Sequence, residues 1–407
     1  MIASVFIILI LLFEGSIENF IPPIKYIDEI LVLIFFIISI FKLLKNKELR
    51  LKIKEIISFF LIIFYLFLGV VSNIQSELLL STSTYLISGI LSVKFILIYL
   101  FTRICFKGIK INYNFLRKLY NILNLILGCY VVVILFNIPF KFLESWGKRY
   151  GVINTVSAGF SYPAELDFLA ISIMVIQLFL MIVLKKNIKY YKVICIESLV
   201  IILFSGRTKA MIFFILYICS LLIVKYLKKI KIKQLFFLTP FALIIADNRI
   251  QSEFVDNGGA RGLLYNVAFK IANDFFPLGS GFGTYGTDIS RKFYSPLYYA
   301  YGLSNKFGLS PKWPAFITDA QWAGIIGESG WIGFIIYLVI LIILTNVIIK
   351  HSKEPLLKIS ISGLWIYGLI SSISDTILTS YRGVAIALII SLLMSIIDEI
   401  HKKSNIT

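Results

Sequence analysis

Groups that usually carry catalysis in soluble enzymes are scarce in this chain. Its 407 residues include only two histidines, His351 and His401. Both lie in Lys-containing stretches assigned below to the cytoplasmic side, which excludes a His-based zinc centre or His-activated nucleophile on the opposite face. The four cysteines, Cys105, Cys129, Cys195 and Cys219, sit in or beside apolar runs without paired spacing. That pattern predicts neither a metal knuckle nor a disulfide framework. The 22 acidic residues form no D-x-D or clustered carboxylate set, so no metal and no cofactor is expected. Charged residues make up 15% of the chain and hydrophobic residues 59%, a balance that leaves too little polar surface for a soluble protein of this length.

Long apolar runs dominate instead. A spanning helix needs about 20 mostly apolar residues at about 1.5 Å each. Runs 30–44 (with flanks), 78–101, 119–138, 164–184, 208–224, 234–247 (with flanks) and 325–349 approach that length, and 2–13, 56–71, 193–205, 359–373 and 383–397 are shorter. They predict an all-α polytopic integral membrane protein with about 12 transmembrane helices in a single membrane domain, 1–407. The opening MIASVFIILILLF lacks a cationic n-region and a small-residue cleavage site, so it is expected to be a retained span.

Lys and Arg alternate between two sets of connections. One set is short and Lys-rich: 45–54, 103–118, 185–192, 225–233, 350–358 and the tail from His401. The other comprises 13–29, 72–77, 139–163, 205–209, 248–318 and 374–382, whose short members are acidic or nearly uncharged. The positive-inside rule makes the first set cytoplasmic and puts both termini inside. The formal charge of +18 is then mostly a topology signal, and no nucleic-acid partner is expected.

Two extracytoplasmic connections are long, 139–163 and 248–318. They are rich in Tyr, Phe, Trp and Gly rather than in the residues of disorder. Such aromatics suit the C–H faces of sugar rings or an interfacial belt. Within the second, Gly281-Phe-Gly283-Thr-Tyr-Gly286 is a formal G-x-G-x-x-G. No strand with βαβ spacing precedes it, and ATP and NAD are absent from that side, so nucleotide binding is not expected. Gly279, Gly281 and Gly283 are expected to shape a tight loop or let backbone approach a bulky ligand.

Arg149, Arg207, Arg249 and Arg261 all fall on the side where the positive-inside rule disfavours them. Arg207 sits in the tight turn FSGRTKAM, beside Lys209. A charge so near hydrocarbon either snorkels to headgroups or has a function. Arginine's planar fork grips phosphate with two prongs and keeps its charge, so the set suits a pyrophosphate. Asp319 is either a helix N-cap or a reactive carboxylate. Glu328 lies nine residues on, among Gly324, Gly327, Gly330 and Gly333, a spacing that predicts a close helix–helix face. Glu165 and Asp167 open another span and are candidate Arg partners.

Four segments in this order, KRYGVINTVSAGFSYPAEL, LFSGRTKAMIFF, ARGLLYNVAFKIANDFFPLGSGFGTYG and TDAQWAGIIGESGWIGFIIY, resemble the bacterial O-antigen polymerase (Wzy-type) and O-antigen ligase families over nearly the whole chain. The resemblance implies a GT-C-like membrane glycosyltransferase in the bacterial cytoplasmic membrane. Such enzymes use undecaprenyl-pyrophosphate-linked oligosaccharides on the outer face, invert the anomeric centre without metal, and have chain-length regulator and flippase partners. It carries phosphate-binding roles onto Arg149, Arg207 and Arg261. Asp319 stands where ligases commonly have His, which tilts the reading toward a polymerase of O-antigen, capsule or exopolysaccharide. Asp319 or Glu328 would then take the proton from the attacking hydroxyl. The alternatives are a ligase-type transferase with another acceptor, and a lipid-linked sugar flippase.

Overall fold

The computed structural model describes residues 1–46, 51–78, 81–149, 153–227 and 259–404. Its architecture is that of an α-helical membrane protein. The chain forms α1 (Ile2–Leu12), α2 (Glu14–Ile17), α3 (Ile27–Asn46), α4 (Ile53–Ser76), α5 (Thr82–Phe106) and α6 (Tyr113–Phe140). A hairpin of β1 (Ser145–Arg149) and β2 (Ile153–Val156) follows, then α7 (Pro163–Val183), α8 (Tyr191–Ser205) and α9 (Thr208–Leu227). The last part holds α10 (Ala260–Asp274), α11 (Asp288–Phe293), α12 (Pro296–Ala300), α13 (Gln321–Ile349), α14 (Pro355–Ser371) and α15 (Tyr381–Ser404). Every expected apolar run among the described residues falls on a helix. Run 234–247 and Arg249 lie outside the described residues.

Among the described residues, seven helices are long and apolar enough to cross a membrane: α4, α5, α6, α7, α9, α13 and α15. Helices α1 and α14 are apolar but shorter. The most apolar stretch of α7 is 89% buried and that of α15 83%, against 22% for α6. Helices α7 and α15 are therefore the centre of the bundle, and α6 presents most of its surface outward. Lipid is as apolar as leucine, so close packing and buried polar pairs hold such a centre together. One pair is Lys94 of α5 with Asp28 of α3, both about 4% exposed. Each would be costly to bury alone.

The two sets of connections gather at opposite ends. In the Lys-rich set, Lys52 Nζ meets His351 Nδ1 at 3.2 Å, and His351 Nε2 lies 3.1 Å from Asp398. In the other set, Ser161 is 2.9 Å from Asn19, Tyr265 donates to the Ile373 carbonyl at 2.9 Å, and Trp322 Nε1 donates to Ser372 at 2.9 Å.

Two features depart from the sequence reading. The segment 139–163 carries the β-hairpin, a small exception to an all-α expectation, with Arg149 paired to Ile153. The described part of 248–318 is a folded cap: α10, α11 and α12 enclose a second hydrophobic core of Leu264, Ile271, Tyr285, Tyr298, Leu309 and Ile317, distinct from the core of the bundle.

Candidate functional site

The glycine-rich segment is buried. Ser280 N donates to Gly327 O at 3.0 Å and Gly281 N to Glu328 O at 2.9 Å, where α13 breaks at Gly330. A Cβ on Gly279 would lie 2.3 Å from Gly330 N, and one on Gly330 would lie 2.4 Å from Gly279 N. Both residues also have positive φ, so only glycine permits this backbone approach. From α4, Asn73 clamps the loop, accepting from Phe282 N at 2.7 Å and donating to Phe282 O at 2.9 Å. The Phe282 ring then rests where Gly69 and Gly89 have no side chains. Each of those glycines is seven residues inside its helix, about 10 Å. Residues 279–283 thus plug the bundle. The loop-shaping role expected of Gly279, Gly281 and Gly283 is turned toward protein. Most of the glycine stripe of α13 packs on this loop, with Gly324 facing Gly286, Gly327 facing Tyr285 and Gly330 facing Gly279, while Gly333 meets Tyr65 of α4 at 3.5 Å as a helix–helix face.

Glu328 belongs to the plug. It is 2% exposed and accepts from Tyr285 N and Thr287 Oγ1, each at 3.1 Å. Its carboxylate is thus held by donors from the loop.

The charged site is at the same end of the bundle, around the turn from α8 to α9. Gly206 closes α8 in a left-handed conformation, and a Cβ there would strike Thr155 at 2.3 Å and Arg149 at 2.8 Å. The absent side chain lets the hairpin lie on the turn, so Arg149 comes beside the residue preceding Arg207. At the second residue of α9, Lys209 donates to Asp375 Oδ2. Arg382 at the start of α15 grips the same carboxylate with two bonds, 2.9 and 3.0 Å. Burial opposes ionisation of Asp375, but the Arg382 guanidinium and the Lys209 ammonium hold it well below the usual carboxylate range. Asp167 of α7, fully buried, accepts from Tyr367 OH at 2.8 Å and lies within electrostatic reach of Lys209, Arg207 and Arg382. Among the described residues, two atoms in this cluster, Asp167 Oδ2 and Arg382 Nε, are buried without a hydrogen-bond partner. Glu165 accepts from Tyr162 N at 3.3 Å, lies across Gly15 and is within electrostatic reach of Arg382.

Arg261 stands in a second cluster. Its Nη2 lies 2.9 Å from Asp319 Oδ2, and its Nε faces Asp319 O at 3.4 Å. Asp319 is not the N-cap of α13, a position held by Ala320. The two clusters share a wall, because Tyr265, one turn beyond Arg261, bonds the carbonyl of Ile373, two residues before Asp375. Arg207 and Arg261 therefore keep different partners.

No family model matches the chain, and no curated protein matches it.

Asp375 and Arg382 escaped the sequence reading of the site. The signal was present: a cation in the short disfavoured-side connection SDTILTSYR, the same anomaly that drew notice to Arg207. Glu14 also escaped it. Placed just after α1 and 2% exposed, its carboxyl is pushed up to about 9 by burial and by neighbouring Asp28.

Proposed function

We propose that this protein is a GT-C-type, metal-independent glycosyltransferase with twelve spans and cytoplasmic termini. In this reading it joins undecaprenyl-pyrophosphate-linked repeat units on the outer face of the cytoplasmic membrane. It is thus a polysaccharide polymerase. The observation that carries the reading is the gathering of Arg149, Arg207, Lys209 and Arg382 at one end of the bundle around Asp167 and Asp375, with Glu165 within electrostatic reach of Arg382. A cluster with surplus positive charge at a membrane boundary suits a pyrophosphate.

The chemistry follows from that charge. A hydroxyl of one glycan attacks the anomeric carbon of another, the glycosidic bond to phosphate breaks, and lipid pyrophosphate leaves with growing negative charge. Arginines held in place before the reaction stabilise that charge without reorganising. Arg149 and Arg207 present the forks. Lys209 and Arg382, fixed by Asp375, supply field from behind. Of the two carboxylates expected as base, Asp319 suits the role better, being 34% exposed, whereas Glu328 is occupied by the plug. Asp319 takes the hydroxyl proton while Arg261 orients it.

The test is turnover of a synthetic lipid-linked repeat unit by the purified protein in nanodiscs, read as longer glycan plus released lipid pyrophosphate. The reading expects both products without added metal. Transfer to lipid A core with no chain extension would replace polymerase by ligase, and no transfer at all would reject the enzyme.

A further inference from the structure

The cap carries a rigid, exposed tip between α12 and α13. Its turns are closed by backbone bonds: Lys306 N to Leu303 O at 3.0 Å, Trp313 N to Ser310 O at 3.1 Å and Phe316 N to Gly308 O at 2.8 Å. Leu309 and Ile317 are fully buried and pin the tip to the cap core, where Tyr294 OH donates to Leu309 O at 2.7 Å. Gly308 has φ +74°, and a Cβ there would strike the Phe316 ring, so only glycine lets that ring fold over the turn. Phe316 in turn supports Phe307 and Trp313, whose ring centroids lie 5.9 and 5.6 Å from its own and 4.4 Å from each other. Even so, Phe307 is 74% exposed and Trp313 48%. A fixed turn that holds two large rings outward is a contact surface.

Charge and position identify the partner. Lys306 precedes Phe307 and Lys312 precedes Trp313, and both lysines are exposed. On α11 the same pair recurs as Lys292 and Phe293, with the ammonium 5.7 Å from the ring centroid. Residues 289–318 contain no Asp or Glu. Just before the tip, Tyr301 OH donates to Asp274 Oδ2 at 2.6 Å, and the adjacent Asn273 accepts from Trp331 Nε1 at 2.9 Å. Trp331 lies ten residues into α13, about 15 Å along it, and just beyond it Ile332 and Ile335 face outward. The chain therefore enters the tip level with the outward apolar face of a membrane helix.

We propose that the tip 306–316 is a docking surface for anionic phospholipid, seated in the headgroup layer at that end of the bundle. Phe307 and Trp313 reach the acyl boundary, where amphipathic rings settle, and Lys306 and Lys312 meet the phosphates. The surface ties the cap to the bilayer, and it does so whether or not the protein transfers sugar. Rings beside lysines also suit an acidic glycan; the level of the tip beside Ile332 and Ile335 favours lipid.

The experiment places the photoreactive residue p-benzoylphenylalanine at Phe307, Trp313 or Ile335 of the full-length protein. Each form is irradiated in nanodiscs of phosphatidylglycerol and phosphatidylethanolamine in equal parts, and the lipid adducts are weighed by mass spectrometry. Position 335, on the outward face of α13, reports that the discs and the chemistry work and should take both lipids equally. Positions 307 and 313 should take phosphatidylglycerol over phosphatidylethanolamine by about fivefold, the preference that one lysine has for an anionic surface. The preference should vanish in Lys306→Gln combined with Lys312→Gln, at an unchanged melting temperature. Absence of lipid adducts at 307 and 313 while 335 reacts overturns the proposal, as does equal capture of the two lipids or a preference that survives loss of both lysines. Capture of an added acidic oligosaccharide in place of lipid would overturn it in favour of a glycan surface.

Discussion

The two ends of the bundle each hold a buried charge cluster, and they are built differently. At the Lys-rich end, Glu55 accepts from Tyr99 OH at 3.0 Å, Arg103 Nε at 3.3 Å and Lys52 N at 2.8 Å. Arg103 also reaches Ser395 and Asp398. Among the described residues, no side-chain atom of that cluster is buried without a hydrogen-bond partner. At the opposite end, among the described residues, Asp167 Oδ2 and Arg382 Nε lack hydrogen-bond partners. A closed network fixes helices relative to one another, whereas buried polar atoms left over in a charged cluster call for a role beyond packing. The first end is structural in this account and the second is the working site.

Breaking the closed network should have the largest effect on stability. Arg103→Ala strands the Glu55 carboxylate and should cost about 3–5 kcal/mol, read as a lower melting temperature in detergent. A variant that melts like the unaltered protein would mean that end is not the clamp described.

The plug gives the next effect. Gly281 has φ +92°, and a Cβ there would lie 2.6 Å from the Asn73 amide. Gly281→Ala should destabilise by at least the left-handed cost of about 1–2 kcal/mol, with the clash in addition. Glu328→Gln keeps an acceptor for Tyr285 N and should preserve most transfer activity; loss of turnover at unchanged stability would return Glu328 to the list of bases.

The pH dependence sharpens the contrast further. Glu14 holds its proton in the folded protein up to about pH 9, whereas the unfolded chain releases it near 4.5. Folded protein thus loses stability as pH rises from about 4.5 toward 9, by at most about 1.4 kcal/mol per pH unit. Glu14→Gln should flatten that limb between pH 5 and 8.5. The Asp375 carboxyl works in the opposite direction: its contribution is present at neutral pH and lost as acid protonates it.

Local pattern made the helices and the two loop sets legible, since apolar run length and Lys placement are written within each segment. Arg149, Arg207 and Lys209 were legible as disfavoured-side cations. Their partners were not. The Lys209–Asp375 contact joins positions 166 residues apart, and nothing near Lys209 encodes it. The glycine stripe of α13 was read as a close helix–helix face, but a stripe does not say what approaches. Here it is the backbone of residues 279–286, and that choice also removed Glu328 from solvent. The hairpin at Ser145–Val156 was hidden by a short, irregular register.

The central claim is that the cation-rich end holds the leaving pyrophosphate. It is tested most directly by the turnover of lipid-linked repeat units by Arg207→Ala and Arg207→Lys, with melting temperature measured on the same samples. The account predicts a loss of about a hundred- to thousandfold for Ala, about 2.7–4 kcal/mol in the barrier, at unchanged melting temperature. It predicts partial recovery for Lys, whose point charge lacks the two-pronged grip. Near-normal turnover in Arg207→Ala would contradict it.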